Sequence, residues 1–285
     1  MYGLFVGLTT LDLIYRAANP PQRNQKLVAS DYLVSAGGPA TNAAIAFAHL
    51  GDRATVVSSL GCHPMSNLIR ADLQQWGVML HDLSPGKAEP PPVSSIVITE
   101  QTGERAVISI NAVKTSIAGD CLASDILHDV DVVLIDGHQM AVGATLAHQA
   151  KQLNIPIVID GGSWKPGFET VLPLADYVIC SANFHPPQCE TEADTFTYLQ
   201  SLGIPYVAIT HGEQPIRYCD RTASGSVPVP TIQPVDTLGA GDIFHGAFCH
   251  YILHTDFVPA LDQAAQIAAQ ACQFFGPRRW MEPSC

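Results

Sequence analysis

With 285 residues, 47% of them hydrophobic and only 14% charged, the chain has the composition of a packed globular protein, which excludes a disordered one. Lys and Arg number 14 against 26 Asp and Glu, and the net charge of −12 repels a nucleic-acid backbone; any phosphate handled here has to be met by backbone N–H groups and a metal ion. The 8 cysteines form no Cys-x-x-Cys pair and no zinc-finger spacing, so they read as free thiols in a reducing compartment.

The chain begins MYGLFVGLTTLDLIYRA, apolar but without a basic start, and Asp12 interrupts it short of signal-peptide or membrane length. This reads as the first buried strand of a cytoplasmic protein, with no membrane partner. Asp12 is then expected at the strand end, where ligands of parallel sheets gather. KLVASDYLVSAGG (26–38) alternates polar and apolar residues, and PATNAAIAFAHLG, ATVVSSLG and PMSNLIRADLQQWG then give helix, strand and helix, each helix closed by Gly. EPPPV (89–93) is a hinge into VSSIVITEQTGERAVISI (93–110), a hairpin about Thr102-Gly103. The strand and helix rhythm resumes from DVVLIDG to IPYVAIT and predicts parallel βαβ units. IRYCD and SVPVPTIQPV are expected to pair antiparallel, followed by one helix from near Gly241 and an Ala-rich one from about Pro259 to Phe275. No repeat or linker divides the chain, so 1–285 reads as one α/β domain, its two alternating segments, about 13–36 and 92–111, forming a small separate sheet.

Two stretches carry chemistry. In VDTLGAGDIFHGAF (235–248) glycines precede an amphipathic helix, so amides and the positive end of the helix dipole can face an anion together. Asp242 at that spot would repel phosphate unless it takes a proton from an attacking hydroxyl while the amides absorb the transferred charge. A Gly-rich turn with Asp242 as helix N-cap is the plainer reading, and the residues alone leave both open. No Gly-x-x-x-x-Gly-Lys-Ser/Thr occurs, and GAGDIFHG lacks the glycine spacing of a dinucleotide fingerprint. In SAGGPATNAAIAFAHLG (35–51), Pro39 starts a helix and Asn42 lies one turn in, offering a donor and an acceptor to a polyhydroxylated ligand or simply facing solvent.

Asp12, then GGPATNAA, then DTLGAGD resemble, in this order and along essentially the whole chain, the ribokinase (PfkB-type) family of carbohydrate kinases. The resemblance implies a ribokinase-like α/β fold, a mostly parallel central sheet flanked by helices with a β-sheet lid over the sugar. It implies ATP and Mg2+ as cofactors, Asp242 as the catalytic base, and Gly239, Ala240 and Gly241 as the anion hole. Asp12, Gly38 and Asn42 would bind sugar hydroxyls; Thr210 and Gly212 in ITHGE match a nucleotide-side Thr-x-Gly turn, and Asn183 would lie on the ATP side with them. Partners would be a small sugar and ATP, with a homodimer through the lid left open. Where the family commonly has Asn-x-x-Glu to help organise magnesium, this chain has Asn183-Phe184-His185-Pro186, so no metal ligand is assigned. A nucleoside kinase of the same fold and a non-catalytic sensor are the rival expectations.

Lesser candidates have plain readings beside the functional ones. His250 and His254 stand one helical turn apart as metal ligands do, yet without the Glu of the zinc-protease pattern, and a surface or structural role is expected. Arg105 is read as an exposed lid residue that could reach an anionic sugar, Lys165 as a loop residue near phosphate. FFGPRRW could flank an adenine or simply pack.

Overall fold

A computed structural model describes residues 1–110, 117, 122–123 and 125–283. The sequence calls for Cys121, Cys285 and residue 111 of the lid lie outside them. The strands are β1 (Tyr2–Val6), β2 (Thr10–Ala17), β3 (Asp31–Gly37), β4 (Arg53–Ser58), β5 (Val78–Asp82), β6 (Val93–Thr99), β7 (Arg105–Ser109), β8 (Val132–Ile135), β9 (Ile157–Gly161), β10 (Tyr177–Ser181), β11 (Tyr206–His211), β12 (Gln214–Cys219) and β13 (Ser224–Val227). The helices are α1 (Pro39–His49), α2 (Ser66–Gln75), α3 (Met140–Gln152), α4 (Phe168–Val171), α5 (Glu192–Ser201), α6 (Ala240–Ile252) and α7 (Phe257–Ala271).

Among the described residues the main sheet has nine strands in the order β13-β12-β11-β10-β9-β8-β1-β4-β5, and only the β11–β12 and β12–β13 pairings at one edge are antiparallel. Its central strands are apolar on both faces, as a sheet covered on both sides requires. Phe5, Leu134, Val158 and Ile179 pack with α1, α6 and α7 on one face, while Leu4, Val133, Ile157 and Val178 pack with α3 on the other. The second sheet, β3-β2-β6-β7, has four strands; β3, β6 and β7 lie in the two alternating segments, and β2 begins at Thr10, ahead of the first of them.

Asp12 departs from its expected place. The apolar run from Leu4 to Leu13 is not one strand: β1 ends at Val6 and the chain leaves the main sheet at Gly7. A Cβ at Gly7 would lie 2.0 Å from Asp136 Oδ1, and this close approach lets the buried Asp136 carboxylate accept from the Leu8 amide at 2.9 Å and the Ala40 amide at 3.0 Å. That carboxylate thus ties the end of β8 to the end of β1 and the start of α1. Asp12 therefore sits in β2 of the smaller sheet, not at the end of the first strand.

The other expected elements form with small shifts: the antiparallel pair is β12 with β13, and the Ala-rich helix is α7, which begins at Phe257. No helix is long and apolar enough to cross a membrane among the described residues. The six described cysteines are free thiols.

Candidate active site

Two helices open on the same edge of the main sheet. Gly38 caps α1 with φ 97°, and a Cβ there would lie 2.3 Å from the Leu8 carbonyl oxygen, so only glycine lets α1 start this close to β1. Gly246 does the same for α6: a Cβ would meet the Ala43 carbonyl oxygen at 2.2 Å, and its absence lets α6 lie directly on α1. This close crossing brings Asn42 to Asp242 across 200 residues of sequence, with Asn42 Nδ2 donating to Asp242 Oδ2 at 2.8 Å.

Asp12 approaches from the smaller sheet. It is buried, Thr10 Oγ1 donates to its Oδ1 at 2.7 Å, and a Cβ at Gly37 would occupy the space of its carboxylate. Burial raises its pKa, opposed by hydrogen bonds from Thr10 and Ser94 and by the charge of Arg278. Asp12 and Ser94 are register partners on the inward face of this sheet, whose outward face carries Tyr15, Tyr32, Val34 and Ile108.

The start of α6 leaves backbone amides without acceptors. Gly239 caps it in the left-handed region at φ 73°, and the first bond within the helix runs from the Ile243 amide to the Gly239 carbonyl at 2.8 Å. The Ala240 amide turns back to the Thr237 carbonyl at 3.3 Å; the amides of Gly241 and Asp242 donate to nothing among the described residues. A Cβ on Gly241 would meet no atom within 4 Å, so space lies open in front of them. Of the three expected anion-hole residues, Ala240 is therefore already bonded, whereas the amides of Gly239 and Gly241 donate to nothing among the described residues, and that of Asp242 joins them. The pKa of half-buried Asp242 is pushed up to about 7 by burial and the nearby charge of Asp160, with the Asn42 hydrogen bond pulling the other way.

Farther along the edge stand the expected nucleotide-side residues. Asn183 follows β10 and is exposed, and Gly212 at the end of β11 has φ 63° with open space where a Cβ would be. The Thr210 hydroxyl donates to the Cys180 carbonyl at 3.3 Å and so ties β11 to β10. Pro186 is buried in a turn whose Phe184 packs against Trp164 and Phe168, so no carboxylate occupies that position. Lys165 reaches the Ser163 carbonyl at 3.3 Å and lies near Asp160. Arg105 donates to the Thr237 carbonyl at 3.1 Å, joining the tip of the small sheet to the loop before α6.

Two residues beyond the expected set organise the site. His245, one turn after Asp242, faces the Gly241 carbonyl at 2.7 Å and the Ile179 carbonyl at 3.2 Å, with Asp160 at 3.6 Å, and so pins the start of α6 over β9 and β10. Arg278 is 3% exposed and its five N–H groups are all used. They go to Asp72 twice (3.4 and 3.3 Å), the Ala36 carbonyl (2.6 Å), the Pro277 carbonyl (3.3 Å) and Asn42 Oδ1 (3.0 Å). FFGPRRW therefore closes on the Asn42 end, with Phe275 packed on Ile14, Ile96 and Ile98 of the small sheet and Pro277 beside Gly239. A pair of arginines, Arg278 and Arg279, inside an otherwise apolar segment was its only signal in the sequence.

A large mostly parallel sheet with a small second sheet, and a carboxylate set among free helix-start amides, define a ribokinase-like phosphotransferase fold. Comparison agrees: the pfkB family carbohydrate kinase profile matches residues 3–284, and the chain belongs to that family. It is a sugar kinase. It is 25% identical to the ribokinase of Bacillus subtilis over 97% of this chain and 94% of that one. It is 24% identical to the deoxyribokinase of Salmonella typhi over 93% of this chain and 90% of that one. The solved ribokinase of Arabidopsis thaliana, complexed with ribose and ATP, superposes with a TM-score of 0.79 at 20% identity, covering 99% of both chains.

Proposed function

We propose that this one-domain kinase transfers the γ-phosphoryl group of ATP to a hydroxyl of a small neutral sugar, with Asp242 as general base. The observation that carries the reading is the Asn42–Asp242 hydrogen bond beside the free amides at the start of α6, because it joins a polyol-binding group, a base and an anion hole at one point. Asp12, Asn42 and the Gly38 backbone hold the sugar under the small sheet. As the sugar oxygen forms its bond to the γ-phosphorus, Asp242 accepts the hydroxyl proton, and the bond to the ADP oxygen breaks. The amides of Gly241 and Asp242 take up the charge on the transferred group. Its raised pKa of about 7 suits Asp242 to this task, since a base works best near the operating pH. Thr210, Gly212 and Asn183 border the nucleotide.

Neutrality of the sugar follows from Arg278: with every donor engaged it offers nothing to an anionic substituent, and the remaining groups there, Asp12 and Asp242, repel one. Magnesium, when bound, neutralises phosphate charge; Asp160 and Asn183 are the residues on that side able to face it, and without a carboxylate at 186 the phosphates and water supply most of its ligands. The outward apolar face of the lid, with Tyr32 68% and Ile108 79% exposed, suits pairing of two copies, and Ile108→Asp should then shift a dimer to monomer in light scattering.

The direct test is ADP release with ATP, magnesium and a panel led by ribose and deoxyribose, with sugar phosphates and nucleosides beside them. Turnover on a neutral sugar is expected. Preference for a sugar phosphate or a nucleoside would overturn the substrate assignment, and binding without turnover would make the protein a sensor. Asp242→Asn should lower turnover at least about a hundredfold with sugar affinity changed far less. A folded variant with near-full turnover removes Asp242 from the mechanism.

A further inference from the structure

We infer that Asp52, His250 and His254 form a zinc site that clamps together the far ends of the two helices whose near ends carry Asn42 and Asp242. Asp52 lies in the turn between α1 and β4, and the two histidines stand at i and i+4 where α6 ends. One ligand atom from each residue lies within 4.8 Å of the others. The carboxylate is already fixed: its Oδ1 takes the Met1 ammonium at 2.7 Å and its Oδ2 meets His250 Nδ1 at 2.6 Å. The rings of His250 and His254 lie 5.2 Å apart, and His250 rests edge-on against Phe47 of α1, which holds its ring in place. His254 is exposed, and its ring forms no hydrogen bond among the described residues.

Two imidazoles and one carboxylate are the ligand set of a zinc ion that keeps a fourth position for water, whereas calcium or magnesium would take oxygen ligands throughout. At bond lengths of 2.0–2.2 Å a tetrahedral ion holds its donors about 3.3 Å apart. The Asp52–His250 contact opens slightly to admit the ion, and the free ring of His254 swings inward. Eight residues of α6 separate His250 from Asp242, about 12 Å along the helix axis. The ion therefore braces the α1–α6 pair without touching the chemistry, and the inference stands apart from the proposed reaction.

The test is calorimetric titration of the full chain with Zn2+ in the absence of nucleotide and sugar, together with Tm and the visible spectrum with Co2+ as substitute. The wild type should bind one Zn2+ equivalent with micromolar affinity, gain Tm on binding, and give the intense d–d bands of tetrahedral Co2+. His254→Ala, at an exposed position, should fold normally, bind that equivalent about tenfold more weakly or worse, and lose both the Tm gain and the Co2+ bands. His250→Gln, which can keep a hydrogen bond to Asp52, should behave in the same way. Absence of binding by the wild type, or equal binding and equal Tm gain in wild type and His254→Ala, would overturn the site.

Discussion

Asp242 combines two properties that pull in opposite directions. Burial and the charge of Asp160 lift its pKa to about 7 from 3.8, so ionising it in the folded protein is costly although the ionised form is the one that accepts a proton. Turnover should fall as pH drops through about 7, with kcat/KM approaching a tenfold loss per unit on the acid side. Stability carries the reverse sign. A carboxylate with a raised folded pKa favours the folded state at low pH, and that contribution is lost as pH rises through the folded value. Asp242→Asn should therefore raise Tm at pH 8, with the gain vanishing as pH approaches about 4. A constant Tm difference across that range would show that Asp242 is not held at a raised pKa. Arg278 acts one step back. It fixes the Asn42 carbonyl oxygen and so turns the amide nitrogen toward Asp242, while its charge offsets that of Asp12 and Asp242. Arg278→Met should cut kcat about ten- to a hundredfold, the worth of a hydrogen bond to a charged group, more than it raises KM. It should also move the acid limb to higher pH. An unchanged limb would reduce Arg278 to a packing role.

Elements, more than single residues, were legible in the sequence. The apolar runs closed by Gly give the parallel strands and their helices because both faces of a covered sheet must be apolar, and the two alternating segments give strands of the smaller sheet because its two faces meet different surroundings. What pattern could not supply is where a continuous apolar run breaks. Gly7 ends β1 for a reason found 129 residues later, in the Asp136 carboxylate that fills the space of its missing side chain. Gly246 is of the same kind: inside a helix it costs about 1 kcal/mol relative to Ala, and its use appears only when α1 lies against it. Gly246→Ala forces a Cβ into contact with the Ala43 carbonyl oxygen, 2.2 Å away, so the two helices must part. The expected loss is about 1–3 kcal/mol in urea unfolding despite the better helix propensity. Turnover should fall as well, since Asn42 and Asp242 separate with their helices. A more stable variant with full activity would mean that the crossing does not set the site.

At the scale of the whole molecule the candidate residues fall into two groups along one edge of the sheet. Asp12, Asn42 and Arg278 gather near β1 under the lid, and Asn183, Thr210 and Gly212 gather at β10 and β11, with the start of α6 pinned between them by His245. Both motif stretches were visible in sequence because local chemistry requires glycines beside a helix start. Arg278 was not, since its partners Ala36 and Asp72 lie 242 and 206 residues away. This layout predicts that the two ligands can be impaired separately. Asp12→Ala removes a buried acceptor at the lid end and should weaken sugar binding by about 1.5–3 kcal/mol, the worth of a charged hydrogen bond, while ATP binding without sugar stays unchanged. Asn42→Ala, which removes a neutral partner, should cost less unless releasing Asp242 disturbs the fold. Gly212→Val places a β-branched residue at φ 63° on the other end and should weaken ATP while sparing the sugar. Calorimetry with each ligand alone decides the matter: if Asp12→Ala impairs ATP and Gly212→Val impairs the sugar, the two ends of the site carry the opposite ligands.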